Sequence, residues 1–230
     1  MREVLDALQR WYGDGVPVGL ATVIEVRKSS PRQPGASMAV TPDGRVAGSV
    51  SGGCVEGAVF EECQGVLAGR TPKRLSYGIS DDDAFQVGLI CGGEIDLFVE
   101  VLDRAAMPWF AEVAAAIEAE EPVATATVVD AGQTGVPLGA RLAVWPGRVE
   151  GSLGAAGLDA AVAEDTRGLL EAGQTAQRRY GADGERRPDG LAVFIQSFAP
   201  RPRLLVFGAI DFAAATARIG AFLGYRVTVC

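Results

Sequence analysis

The chain has 230 residues, 48% hydrophobic and 22% charged, with a formal net charge of −8, enough for one large or two small domains with a real core. That acidity argues against nucleic acid, which would want a basic stripe, and against an anionic membrane surface, and no apolar run approaches the roughly 20 residues of a membrane helix. Histidine is absent, which removes the commonest metal ligand, the usual general base and every Ser-His-Asp or Cys-His nucleophile.

The opening segment MREVLDALQRWYGDG reads as an amphipathic helix with no signal-peptide core, so cytoplasm is the expected location. An apolar, β-rich strand follows at Val18–Val26. The loop Ser29-Ser30-Pro31-Arg32-Gln33-Pro34-Gly35 leads into a hairpin, Ala36–Thr41 and Arg45–Val50, turned by Asp43-Gly44. Ser51-Gly52-Gly53 then opens a helix near Cys54–Ala68, with Gly69 where a C-terminal cap belongs. Asp81-Asp82-Asp83 reads as a solvated turn before Gly88-Leu89-Ile90-Cys91-Gly92-Gly93 and a strand at Glu94–Leu102. A helix at Ala111–Glu118 starts a second round.

That second round is a repeat of the first. VPVGLATVIEV from Val16 resembles EPVATATVVDA from Glu121, and GASMAVTPDGRVAGSV from Gly35 resembles GARLAVWPGRVEGSL from Gly139. GVLAGRT from Gly65 matches GLLEAGQT from Gly168, with Gly173 at the cap, and Tyr77-Gly78 matches Tyr180-Gly181. DLFVEV from Asp96 resembles LAVFIQS from Leu191, at the strand Leu191–Phe198. Matches in this order predict an α/β layered domain of two pseudo-symmetric halves, residues 1–103 and 104–200. The remainder, 201–230, reads as strand, turn, helix, strand, the first βαβ of a Rossmann fold. Only Gly208 and Ala213 fit the G-x-G-x-x-G/A fingerprint, Ile210 replaces its second glycine, and the unit reads as cut short.

Residues common to both copies are those a fold needs; residues in one copy are candidates for chemistry. Three blocks are confined to the first half, so the second half reads as a degenerate scaffold. In the first block, Ser29, Ser30 and Arg32 before Gly35 offer hydroxyls and a guanidinium suited to an anionic oxide or phosphate; the alternative is an exposed loop with a surface arginine. In the second, Ser51, Gly52, Gly53, Cys54 and Glu56 form a glycine turn entering a helix, where N–H groups converge on an anion and a thiol gains thiolate character. Its alternative is a tight turn with a small core cysteine. In the third, Cys91, Gly92 and Gly93 form a second glycine-cysteine turn expected to face the first, or else a simple strand entry. Cys54 and Cys91 are the candidate catalytic and metal-contacting pair, whereas Cys63 reads as core, and the four cysteines show no CxxC spacing. Gly208 and Asp211 are candidates for a nucleotide contact at the βαβ turn.

The blocks SSPRQPGASM, GSVSGGCVEG, GLICGGEIDLFVE and LLVFGAIDFA together resemble the XdhC/CoxI family, nearest its CoxI-like branch. The resemblance covers the whole chain. It implies a maturation protein that binds molybdenum cofactor (molybdopterin) and works with a cysteine desulfurase that supplies sulfur. It further implies delivery of the cofactor to an apo molybdenum hydroxylase of the xanthine or carbon monoxide dehydrogenase type. An accessory protein of this kind, more chaperone than turnover enzyme, is also expected to form a homodimer through the unpaired edge of its βαβ. The competing reading is a nucleotide-dependent oxidoreductase using the βαβ.

Overall fold

A computed structural model describes residues 1–78 and 92–230. A 3-10 turn, Arg2–Val4, runs into helix α1 (Leu5–Gly13), whose Leu5, Leu8, Trp11 and Tyr12 face the core. Strands β1 (Val18–Arg27), β2 (Ser37–Val40) and β3 (Val46–Gly48) follow, then α2 (Glu56–Gly69), β4 (Lys73–Tyr77) and β5 (Glu94–Leu102). After α3 (Phe110–Glu118), the set recurs as β6 (Val123–Asp130), β7 (Arg141–Val144), β8 (Val149–Ser152), α4 (Ala156–Glu171), β9 (Ala176–Tyr180) and β10 (Leu191–Phe198). The sheet orders are β3-β2-β1-β5-β4 and β8-β7-β6-β10-β9, so the two copies share one topology. Even the irregularity repeats: the pairing of β1 with β5 slips between Val23 and Glu25, and that of β6 with β10 between Ala192 and Val193, opposite Val128 and Asp130.

The central strands are apolar on both sides because both sides are covered. Along β5, Ile95, Leu97, Val99 and Val101 pack with Val59, Cys63 and Val66 of α2, while Phe98 packs with Ile24 against Val129, Ala192 and Phe194 of the other half. In the second half, Leu191, Val193 and Ile195 turn to Leu158 and Val162 of α4. The layers are therefore helix, sheet, sheet, helix, and α1 and α3 close one end around Leu20, Leu102, Trp109 and Phe198. Gly19 lets α2 approach closely, since a Cβ there would lie 2.9 Å from Cys63 Cβ.

Several sequence-based boundaries move. The short edge strands β4 and β9 carry a mixed, half-buried pattern without clean alternation, so no periodicity in the sequence announces them. The first hairpin is shorter than predicted, because Thr41, Asp43 and Arg45 tie its turn together: Thr41 Oγ1 donates to Asp43 and accepts from Arg45 N at 3.0 Å. Helix α2 starts at Glu56, two residues later than Cys54. Its end is capped by Arg70 at φ 53°, whereas Gly69 stays helical; in the second half Gly173 takes the left-handed position at φ 63°, as its place in the repeat predicts.

The halves meet through a reciprocal pair of polar contacts. Register places Leu20 opposite Glu100 in one sheet and Thr125 opposite Gln196 in the other, so Glu100 and Gln196 occupy equivalent positions. Gln196 Nε2 crosses the seam to donate to Gly35 O at 3.0 Å. Glu100 crosses it the other way and pairs with Arg141, whose Nε donates to Gly139 O at 3.1 Å. Burial pushes the Glu100 carboxyl up and Arg141 opposes that shift without cancelling it. Arg141→Met is expected to leave Glu100 buried without a partner and to cost about 3–5 kcal/mol, read as a fall in the denaturation midpoint; Glu100→Leu combined with Arg141→Leu should regain much of it.

The segment 201–230 forms parallel strands β11 (Arg203–Val206) and β12 (Arg226–Val229) joined by α5 (Asp211–Phe222), the βαβ expected from sequence. Gly220 brings α5 onto the strands, where a Cβ would collide with Leu204 Cδ2. Phe207, Phe212 and Phe222 are exposed. Among the described residues no helix is long and apolar enough to cross a membrane.

Candidate functional site

The second motif block folds around its own carboxylate. Glu56 accepts from Ser49 Oγ at 2.6 Å, from Ser51 Oγ at 2.5 Å, and from the N–H groups of Val50, Ser51, Gly52 and Gly53 at 3.2, 2.9, 3.1 and 2.8 Å. Ser51 Oγ in turn accepts from Cys54 N and Val55 N at 3.0 and 3.1 Å, serving as the helix cap. Gly52 and Gly53 make this wrap feasible at φ 81° and 117°. Burial raises the Glu56 pKa, but the hydrogen bonds from Ser49 and Ser51 outweigh it and bring the value down to about 2. The N–H cradle read from the sequence therefore exists, and Glu56 fills it.

The second half repeats the device in reduced form. Asp159 accepts from Ser152 Oγ at 2.8 Å and Leu153 N at 2.6 Å. Ser49 and Ser152 each also accept from the N–H of a following glycine, Gly52 and Gly154, at 2.9 and 3.0 Å. Ser49 does not stand out in the sequence because both copies carry it, and a comparison of copies singles out only their differences.

Cys54 is half-buried beside the α2 core. Cys63 is fully buried and inert, its thiol pushed up to about 12 by burial. Cys91 lies outside the described residues, as do Asp81-Asp82-Asp83 and Gly88-Leu89-Ile90, so the expected facing of Cys54 and Cys91 has no geometry here. The flanking glycines do reach the first block. A Cβ on Gly93 would collide with Ser29 O, and one on Gly52 would lie 3.9 Å from Pro31 Cγ. Ser29–Gly35 thus touches both neighbours, drawing the three blocks to one end of the first sheet. Gly93→Ala should displace the Ser29 end of that loop and cost roughly 2–4 kcal/mol, seen in chemical denaturation.

Arg32 is turned toward the seam. It pairs with Glu3 of the 3-10 turn, and its own N–H meets Ser30 Oγ at 3.4 Å. The cavity it lines, about 450 Å³, is shared with Arg2, Glu3, Gly35, Thr175 and Gln196, and includes neither Gly53 nor Cys54. Asp96 of β5 is structural: it accepts from Arg27, Arg74 and Ser76 at 3.0, 2.7 and 2.7 Å. Gly208 sits at φ 137° where β11 turns toward α5, and Asp211 is exposed in the first turn of that helix. Among the described residues no group of three or more Cys, Asp or Glu is placed to hold a metal ion.

Comparison with known proteins adds the following. The family model described as the XdhC and CoxI family matches residues 11–78 and 116–181, one segment in each half. The molybdenum cofactor insertion chaperone PaoD of Escherichia coli is 38% identical over 104 residues, 45% of this chain and 32% of PaoD. A Bacillus subtilis protein named as a probable xanthine dehydrogenase component is 26% identical over 98% of this chain and 62% of its own length. The crystal structure of a xanthine dehydrogenase from Bacillus halodurans superposes with a TM-score of 0.63 at 23% identity, covering 98% of this chain and 61% of that one, and so shares the fold. The chain spans from about a third to three-fifths of the length of these relatives.

Proposed function

Because the chain belongs to the XdhC and CoxI family, we propose that it is a maturation chaperone that binds molybdenum cofactor and assists its sulfuration and insertion into an apo molybdenum hydroxylase. The family match across both halves carries this reading, and the likeness to a protein named as a molybdenum cofactor insertion chaperone supports it. In this reading the client is of the xanthine or carbon monoxide dehydrogenase type, a cysteine desulfurase supplies sulfur, and the work is cytoplasmic.

The residues fit the cofactor in part. Molybdenum cofactor brings a phosphate, a dithiolene and an oxo-metal centre. Cys54 supplies a soft sulfur at the motif end. Arg32 supplies a forked donor for an anion once Glu3 yields it, and Gly92-Gly93 with Ser29 and Ser30 shape the neighbouring wall. Gly52 and Gly53 contribute shape only, since Glu56 holds their N–H groups. We assign cofactor handling to residues 1–103, support to 104–200, and client or self-association to 201–230, whose exposed aromatics and two-stranded sheet favour pairing with a second copy. A nucleotide contact at Gly208 and Asp211 is a second reading, favoured by the left-handed glycine where the strand turns into α5.

Anaerobic purification from a host making molybdenum cofactor, followed by oxidation and pterin fluorescence, tests the first reading. A stoichiometric pterin signal is expected. A protein that carries none, and does not raise the activity of a co-expressed hydroxylase, would overturn it.

A further inference from the structure

The seam cavity under the Ser29–Gly35 loop has features of its own. Its charged side chains are Arg2, Arg32 and Glu3, a local excess of positive charge in a chain of net charge −8. Arg32 Nε is buried with no hydrogen-bond partner, although Glu3 takes one of the terminal nitrogens. A guanidinium fork so half-used is matched by an acceptor with several oxygens. Thr175 accepts from Ser197 N at 3.2 Å and keeps its own proton to donate, while Gln196 is fixed on Gly35 O.

The pseudo-equivalent cavity at the other end of the seam behaves differently. It is about 270 Å³ and contains Glu100, Gly139 and Arg141. There the chain provides its own anion, the Glu100 carboxylate on Arg141. At the equivalent position Gln196 is neutral, so the Arg32 cavity has no deep carboxylate and only Glu3 opposes its arginines. Arg2 and Ser197 also border a larger cavity of about 990 Å³ with Ile117, Leu170 and Pro200 on its wall. An anion at Arg32 therefore has room beside it for an organic body against apolar side chains.

We propose that this seam cavity binds a phosphate monoester, with Arg32 as the anion contact, Glu3 as the counter-ion that the ligand replaces, and Gln196 and Thr175 as the contribution of the second half. The inference deepens the functional reading, since it places a phosphate-bearing end on Arg32. The test is calorimetry at low salt on the full chain with two probes, inorganic phosphate and phenyl phosphate. Both should bind, phenyl phosphate several-fold more tightly through the adjoining apolar wall. Arg32→Ala should weaken both by roughly tenfold to hundredfold, and Arg32→Lys, which keeps the charge without the fork, by less. Glu3→Gln should tighten both, an effect that a merely structural ion pair would not give, and Gln196→Glu should weaken both by recreating the deep carboxylate of the other end. Phosphate binding that depends on Arg32 in a protein that never carries pterin would overturn the cofactor reading and leave this site standing. The native chain binding neither probe, Arg32→Ala or Arg32→Lys binding as the native chain does, or Glu3→Gln binding more weakly, would overturn the site itself, whatever pterin the protein carries.

Discussion

Cys54→Ser is expected to abolish maturation of a co-expressed molybdenum hydroxylase while the chaperone keeps its fold. The side chain is half-buried, and the backbone N–H is the part of the residue that Ser51 holds. Serine matches its size, so the loop and helix α2 should survive. What is lost is a soft, polarisable donor that an alcohol oxygen does not imitate toward molybdenum or toward sulfur. The fall in cofactor retention should equal or exceed the roughly tenfold to hundredfold that losing an outer-sphere partner of a metal already costs. Pterin content and client activity, measured beside circular dichroism of each variant, decide the matter. Full client activity with Cys54→Ser would make the residue a packing group and move the chemistry elsewhere.

Glu56→Ala should produce the largest loss of stability among the motif residues. The substitution leaves Ser49, Ser51 and four N–H groups without their shared acceptor, and water can reach only the outer ones. Bonds to a charged acceptor are each worth about 1.5–3 kcal/mol net, and they are not additive, so a total of roughly 2–4 kcal/mol is expected. Asp159→Ala, with fewer bonds to lose, should cost less. The pH dependence follows from the sign of the shift. The folded pKa, about 2, lies below the ordinary value of 4.5. The stabilisation is complete above the unfolded value and is lost as pH falls toward the folded one, so the difference between native chain and Glu56→Gln should shrink below about pH 4.5. Denaturation midpoints measured from pH 7 down to 3 test this, and a constant difference across that range would show that the carboxylate charge is not what holds the loop.

Much of this architecture is legible in the sequence because duplication writes it twice. The strand pairs, the Asp43-Gly44 turn, the βαβ and the helix order can be read from apolar periodicity and glycine punctuation. Comparing the copies also isolates Ser29–Gly35 and Cys54. The same comparison hides what the copies share. Ser49 and Ser152, with Glu56 and Asp159, are a common clamp, and Glu56 looks distinctive only because its neighbours differ. The seam is invisible for another reason. Gln196 and Glu3 act on Gly35 and Arg32 across 161 and 29 positions of chain, and no local pattern announces a contact that the packing of two sheets creates. Edge strands β4 and β9 escape notice because an edge need not alternate in polarity.

The reciprocal contacts across the seam have a consequence for how this protein could have diversified. Residue i of one copy meeting residue j of the other, with the contact returned, is the mark of an isologous interface. In a dimer of identical chains such a position changes twice at once, and any new charge meets its own image. Joined in a single chain, the two ends mutate independently. One end could acquire Glu100 and Arg141 and become a sealed lock, while the other kept a neutral amide and stayed open. Covalent linkage thus converts a symmetric surface into a polarised one, giving the molecule a front and a back that a dimer of identical halves does not have.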